Sequence, residues 1–584
     1  MSQQNINIST PNDHLGDPIR TAFLKSNENF TELYSAILGL GSATYIIEKS
    51  GSTHYAYSYS RKSLPSYTSS SFNTVMTNVL TQLAGLTPTG GRIFIRAGSY
   101  TGLDQISIPC DNVTIEGEGK YVTKLIMADG KDASYGARFA LIKIDGYDNC
   151  IIRNIEIDGN GDNQTKIDAG ASVIAIEDCI YTQNTYNTLI ENCYIHDCTM
   201  TAIETHGCKD AMIRGCHIKN GFWNGVTLGW GTLNNHVTEC LVEGSADVGI
   251  ATYGEFNKIT ENTIRLITGT KGSGNTKCAI SCEEMDGTPT TDHFIANNVI
   301  HGTGMITGIS APATGSAATE RLVIQGNRIY DIDYGIYTAG NHAVIKDNFI
   351  DEAEEMAIHI QGGEYNNVMN NTLLCVASKY AIVLSTNGGT DYSSYNIVFN
   401  NHCKMASGTY SYCFAINAGC VSNIIVNNIV FGASGEQVNI SDAGTNTILR
   451  DNYGQSGLRW NPETGDTSVN YEATATGATT GQIKPGSQYA YIYSPNANYI
   501  CRLPVASAHL VGTIIRGRVG SNGFELRTAS GDEASVSINN VSGAGTEAAI
   551  PALYYFEAEL VTQTRWLLRA WDTGGNYVAI TPDV

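Results

Sequence analysis

Residues 324–373, IQGNRIYDIDYGIYTAGNHAVIKDNFIDEAEEMAIHIQGGEYNNVMNNTL, hold the pattern that decides the fold. IQGNRI (324), IKDNFI (345) and VMNNTL (368) each read apolar, any, polar or Gly, Asn, any, apolar. Between them, GIYT (335) and AIHI (357) read small, apolar, any, apolar. Outward from this stretch the hexad recurs, with Asn or Cys at the fourth place, as IENCYI (190), IRGCHI (213), VTECLV (237), ITENTI (259), IANNVI (295), VFNNHC (398) and IVNNIV (425), with a weaker LRDNYG at 449 and a first copy, IRNIEI (152), that departs from it with Ile155 at that place. Most copies start 21 to 30 residues apart, and the intervals of 38 after 152 and 36 after 259 read as inserted loops. The second element also recurs, as AIET (202), GVTL (225), GIAT (249), AISC (279), GISA (308) and AIVL (381).

The fourth hexad position carries Cys193, Cys216 and Cys240, then Asn262, Asn298, Asn327, Asn348, Asn371, Asn401, Asn428 and Asn452. Asparagine tolerates a left-handed bend, and its amide can bond the same group one layer up, so this column is expected to form a stacked ladder at the bend. Two short strands per repeat cannot bury their apolar faces alone, whereas coils stacked on coils can. The expected fold class is all-β, a parallel β-helix. Leucine-rich repeats share the period, but their Leu signature and helix per repeat are not there.

Around this core, residues 72–100 read as an amphipathic helix, a Gly turn and a strand, the order of a helix covering the open end of a β-helix. Residues past about 465 lose the hexad and alternate as strands, which predicts a sandwich-like all-β domain. The expected divisions are 1–45, a helix-capped start over 46–130, the parallel β-helix over 131–465, and the C-terminal domain over 466–584.

Composition narrows the partners. The 584 residues are 42% apolar, enough for a large core, and carry 56 Asp and Glu against 35 Lys and Arg, for a net of −21. Such a charge repels phosphate backbones and anionic lipid, so nucleic acid and membrane insertion are not expected. No secretory signal or run of 18 apolar residues is visible. The 15 cysteines, without CxxC pairs and with several in the repeat core, are expected to be buried thiols, consistent with assembly in a reducing cytoplasm.

The helix, GGRIFIRAGSY, IEGEG and IDGNGDNQ together resemble the pectate-lyase-like right-handed β-helix superfamily over roughly residues 70–460. NINISTPNDHLGDPIRTAFLKSNENFTELYSAI (5–37), with its Gly16-Asp17 turn, resembles the segment that opens many phage tail proteins. With the C-terminal β domain, the order resembles a bacteriophage tailspike. The resemblance implies a virion-attachment role for residues 1–45, docking on a tail or baseplate protein, a homotrimer, and depolymerase activity on a capsular or O-antigen polysaccharide at the bacterial surface. The superfamily holds hydrolases, lyases, esterases and inactive binders, so the chemistry must come from the residues. No cofactor or metal is expected: Asp158, Asn160 and Asp162 have calcium-loop spacing, but Asn163 stands where the loop needs Gly.

Outward positions of the second element should line up one per coil. The small column, Ala202, Gly225, Gly249, Ala279, Gly308, Gly335, Ala357 and Ala381, reads either as a groove floor or as small residues favoured before a bend. Two residues on, the column reads Ala175, Glu204, Thr227, Ala251, Ser281, Ser310, Tyr337, His359; two further, Glu177, His206, Gly229, Tyr253, Glu283, Pro312, Ala339, Gln361. Glycoside hydrolysis needs two carboxyl groups roughly 5 to 9 Å apart. Glu177 and Glu204, with His206 beside them, are the first candidates. Glu283, Glu284 and Asp286 beside Tyr253, with Asp247 across the groove, form a second patch. A third holds Asp333 and Glu355 near Tyr337, His359 and Gln361. Trp223 and Trp230 offer faces for a sugar ring, and Tyr253, Glu284, Tyr337 and His359 complete the substrate-binding candidates. Three functions stay open: an endo-glycosidase using paired carboxylates, a polysaccharide lyase using Tyr253 or His206 as base and Lys277 against a uronate, and a glycan-binding adhesin that does not cut.

Overall fold

A computed structural model describes residues 43–59, 63–131, 139–164, 177–221, 223–267, 277–283, 290–302, 307–312, 319–375, 380–387, 391–405, 412–431, 440–450, 452, 469–474, 481–483, 489–506, 510–530, 532, 535–541 and 547–582. The expected virion-attachment segment, 1–45, lies outside them but for its last three residues. The chain forms two compact units, Met1–Ala246 and Asp247–Val584.

In the first unit every coil supplies three short strands rather than two, because the bend inside the hexad splits it. First strands Gly91–Ile95, Val113–Gly117, Ile151–Arg153, Leu189–Glu191, Met212–Arg214 and His236–Thr238 pair in parallel, coil to coil. Second strands Thr123–Met127, Glu156–Asp158, Tyr194–His196, His217–Lys219 and Leu241–Glu243 do the same, as do third strands Phe139–Asp145, Glu177–Gln183, Ile203–His206 and Val226–Leu228. The architecture is an all-β right-handed parallel β-helix. In-register pairing stacks like on like: Ile93, Ile115, Ile152, Ile190, Ile213 and Val237 form one column, all buried. Each such side chain contributes about 1.5–3 kcal/mol through burial.

The open end is covered as expected. Ser71 accepts the Thr74 N–H and starts helix Phe72–Ala84, whose buried face is Phe72, Val75, Met76, Val79, Leu80 and Leu83. An antiparallel hairpin, Tyr45–Ser50 with Thr53–Ser58, adds to it, and its first strand pairs in parallel with Gly91–Ile95.

In the second unit the ladder runs through Asn262, Asn298, Asn327, Asn348, Asn371, Asn401, Asn428 and Asn452, each Nδ2 donating to the next Oδ1 at 2.9–3.0 Å. Every interior member also takes the preceding Asn's backbone N–H on Oδ1 and gives its second Nδ2 hydrogen to a backbone carbonyl, as Asn327 does to Ile295. Two donated and two accepted bonds satisfy the buried amide. In the first unit the thiols take the same place, with Cys193 Sγ on the Ile152 carbonyl and Cys216 Sγ on that of Ile190. The expected left-handed backbone lies one residue earlier than the ladder, at Asn192 (φ 49°), Glu239 (φ 56°), Asn297 (φ 58°), Asp347 (φ 56°) and Asn370 (φ 57°). The third hexad position makes the bend, and the fourth turns its side chain into the interior.

Past residue 465, two small sheets share one core built on Phe524, Phe556 and Trp566, compatible with the expected sandwich. Their pairing is mixed, since Tyr489–Tyr493 runs parallel to Ile514–Val519 while Tyr555–Thr562 runs antiparallel to it. No described helix is long and apolar enough to cross a membrane. One expectation about the cysteines is corrected: Cys179 and Cys198 form a disulfide, because the third strand of one coil starts beside the turn after Tyr194–His196. The other 13 are buried free thiols.

Two outcomes follow. Asn327→Ala strips bonds from both neighbouring ladder members and should cost about 2–4 kcal/mol, measured as a lowered denaturation midpoint. Thiol titration of the unfolded, unreduced protein should find 13 reactive groups, rising to 15 after reduction; 15 at the outset would contradict the disulfide.

Candidate functional site

Parallel pairing in the first unit fixes which outward side chains meet. Tyr181 stands opposite Glu204 and Gln183 opposite His206, with Lys143 and Asp145 opposite Tyr181 and Gln183 on the coil before. The neighbour of Glu204 is therefore Tyr181 and not Ala175. Glu177 lies four residues ahead of Tyr181 on its strand, about 13 Å along it by the strand rise, so Glu177 and Glu204 do not form the expected pair. The length of the insertion before Glu177 displaced the sequence-based register by six residues.

Glu204 and His206 do come together: His206 Nε2 lies 2.5 Å from Glu204 Oε1. The Glu204 residue is only 5% exposed, and a carboxylate so recessed needs such a partner. The His206 ring has the Tyr181 ring 5.8 Å away on one side and Trp230, itself 44% exposed, 6.0 Å away on the other. Tyr181 donates its hydroxyl to Gln183 Oε1 at 2.9 Å, and Lys143 Nζ sits 6.0 Å from the Tyr181 ring and 3.3 Å from Asp145. Gly229 makes room for the imidazole, since a Cβ there would come within 2.7 Å of His206 Nε2 and 2.6 Å of the Thr205 carbonyl. Trp223 and Trp230 lie before and after strand Val226–Leu228, flanking the coil as read. The site thus offers a recessed carboxylate, an imidazole, a phenol, an ammonium and an open indole on one face.

The small column is no groove floor. Ala202, Ala279, Ala357 and Ala381 are fully buried, and a Cβ at Gly308 would meet the Gly335 carbonyl at 2.6 Å and Ile329 at 3.0 Å. These residues are small because each coil bends inward against the next one's backbone.

In the second unit Tyr253 donates its hydroxyl to Glu283, as their successive places in one column led one to expect. Asp247 does not join them. Val248 pairs with Cys278 and Thr252 with Cys282, which puts Asp247 and Lys277 at one end of their strands and Tyr253 and Glu283 at the other, about 20 Å away. Glu284 and Asp286 lie outside the described residues. Tyr337, His359 and Gln361 meet as expected: Tyr337 is opposite His359, its hydroxyl bonds Gln361 Oε1, and His359 Nε2 lies 2.7 Å from Ser385 Oγ. Burial lowers the His359 pKa to about 4. Burial, and then the Glu355 carboxylate, push the Asp333 carboxyl up.

One cluster went unread. The second strands of the first unit present Lys124, Glu156, Asp158, Tyr194 and His196 outward, with Asp197 in the turn just after the last of these. Lys124 Nζ bridges Glu156 at 3.1 Å and Asp158 at 2.9 Å; His196 bridges Asp197 through Nδ1 at 2.7 Å and Glu156 through Nε2 at 3.2 Å. Burial acts to lower the His196 imidazole, but its bond to Asp197 and the nearby Asp158 and Glu156 outweigh burial and hold it above its ordinary value. The Asp158, His196 and Asp197 donor atoms lie within 4.8 Å of one another, a spacing that could take a cation, although Lys124 already neutralises Asp158. Asp158 also accepts the Asn160 N–H, while Asn160 Nδ2 donates to the Met127 carbonyl and to Asp129, so IDGNGDNQ forms a turn tied to the coil before it. The signal for it in the sequence is the alternation of polar residues at the end of each hexad, EID, YIH, HIK.

The family model described as "Right handed beta helix region" matches residues 111–264. Among solved structures, the chain is similar to the catalytic domain of a GH87 alpha-1,3-glucanase in complex with nigerose, at 16% identity over 57% of this chain and 62% of that one, with a TM-score of 0.41. It therefore spans less than two thirds of that domain. It is similar to the A-module of the Azotobacter vinelandii mannuronan C-5 epimerase AlgE4, at 14% identity over 60% and 96% of the two chains, TM-score 0.42. It is also similar to the DFA-IIIase from Arthrobacter chlorophenolicus A6, at 13% identity over 64% and 93%, TM-score 0.42. Each likeness is too low to carry chemistry across. No curated protein matches the chain.

Gly229→Ala should break the His206–Glu204 bond by displacing the ring. Histidine-selective NMR should lose the downfield imidazole N–H resonance that a bond of this length gives; an unchanged resonance would contradict the geometry.

Proposed function

We propose that the chain is a tailspike-type depolymerase that binds a bacterial capsular or O-antigen polysaccharide and cuts it within the chain. The supporting observation is the recessed Glu204 carboxylate bonded to His206 beside the open face of Trp230. In the hydrolytic reading Trp230 carries a sugar ring and Glu204 gives a proton to the leaving glycosidic oxygen. Asp145, paired with Lys143 at 3.3 Å, activates the water from two coils away. Residues 1–45 dock a homotrimer on a tail or baseplate protein of the virion, assembled in the host cytoplasm.

A second reading has its own support. Lys143 and Tyr181, two coils and one coil from His206, replace the Lys277 and Tyr253 set and suit β-elimination: an ammonium for a uronate carboxylate, a phenol and an imidazole for the protons. The products separate the two. Purified protein with host polysaccharide should release oligosaccharides, with new reducing ends alone for hydrolysis and with an ultraviolet-absorbing unsaturated end for elimination. Glu204→Gln should lower either rate at least a hundredfold, about 2.7 kcal/mol of barrier. Binding without any release of oligosaccharide would leave an adhesin, and overturn the proposal.

A further inference from the structure

On the outward face of the second unit, strands Phe349–Gln361 and Tyr380–Asn387 run in parallel, with Gln361 opposite Ser385 and His359 opposite Val383. The pairing sets Ser385 one coil over and two residues along from His359, and their side chains close the diagonal: Ser385 Oγ lies 2.7 Å from His359 Nε2. That is the separation at which an imidazole takes a hydroxyl proton. Buried as it is, His359 is neutral at physiological pH, so Nε2 can accept. Tyr337 occupies Gln361 Oε1 with its hydroxyl, which leaves the Gln361 N–H2 group as the donor end of that amide, in register with Ser385. Ser385 is 7% exposed, recessed but not sealed.

We propose that Ser385 and His359 form a nucleophile–base pair that removes small acyl groups from ester-bearing sugars. Ser385 Oγ adds to the ester carbonyl carbon while its proton passes to His359 Nε2. The oxyanion that results is within the compass of the Gln361 amide. As it collapses, the bond from acyl carbon to sugar oxygen breaks and that oxygen takes the proton from His359, leaving an acyl-Ser385 ester. Water then adds to the acyl carbon and gives a proton to His359. Loss of Ser385 Oγ, which recovers that proton, frees the carboxylic acid. Neither an oxidant nor a metal enters the balance, and no step depends on the glycan chain being cut at Glu204.

A two-member unit turns over slowly compared with a full triad, so covalent capture is the sharper reading. Full-length protein is treated with a fluorophosphonate probe, and the labelled peptide is found by mass spectrometry. The label is expected on Ser385, with hydrolysis of 4-nitrophenyl acetate falling at least tenfold in Ser385→Ala and in His359→Gln. The wild-type labelling does not depend on how the variants fold, and circular dichroism checks them. No label, a label on another residue, or full hydrolysis by folded Ser385→Ala would overturn the assignment.

Discussion

The structure depends on one constraint: every coil must hydrogen-bond the next in parallel register while hiding its polar corners. Backbone pairing alone does not meet it at the hexad bend, where the chain turns inward and away from water. The stacked amides of Asn262 to Asn452 do, giving each buried oxygen and nitrogen a partner on the coil above or below. Once the corners are tied, register is fixed, because a slip of one residue would turn the isoleucine column out to solvent. Outward positions then form columns of their own, and side chains far apart in sequence become neighbours at one strand spacing.

That logic explains which parts of the site were legible in the sequence. The hexads were enough for the fold, the amphipathic pattern of residues 72–84 for the end cap, and the second element for most of the outward column, since Ser281, Ser310, Tyr337 and His359 are paired in the order read. Glu177 failed because the long insertion hides where its strand begins. The placing of Asp247 with Glu283 failed because the two share a coil neighbourhood but stand at opposite ends of their strands. Small residues lining up could equally face in or out by pattern alone, and only the clash a Cβ would make with the next coil decides for inward. The Cys179–Cys198 link joins a third strand to the turn that follows a second strand, which a one-dimensional repeat cannot register.

Chemically, the solenoid turns neighbouring coils into a short alphabet of contacts. Glu204 and His206 are two residues apart on one strand; Tyr181 and Lys143 join them from earlier coils. Ser385 and His359 repeat the device with a hydroxyl in place of the carboxylate. The second strands carry a further acid–imidazole–acid group around His196 on another face of the same coils. In each case the rigid register supplies the positioning and the recess supplies the desolvation that makes a charged or proton-sharing pair matter.

The claim at the centre is that the third-strand face around Glu204 is where a glycan is held for chemistry. A crystal structure of the Glu204→Gln protein soaked with an oligosaccharide from its host polysaccharide tests it most directly. The account predicts a sugar ring stacked on Trp230 with a glycosidic oxygen in hydrogen-bond reach of residue 204. A well-ordered saccharide seated elsewhere, with this face open to solvent, would contradict it.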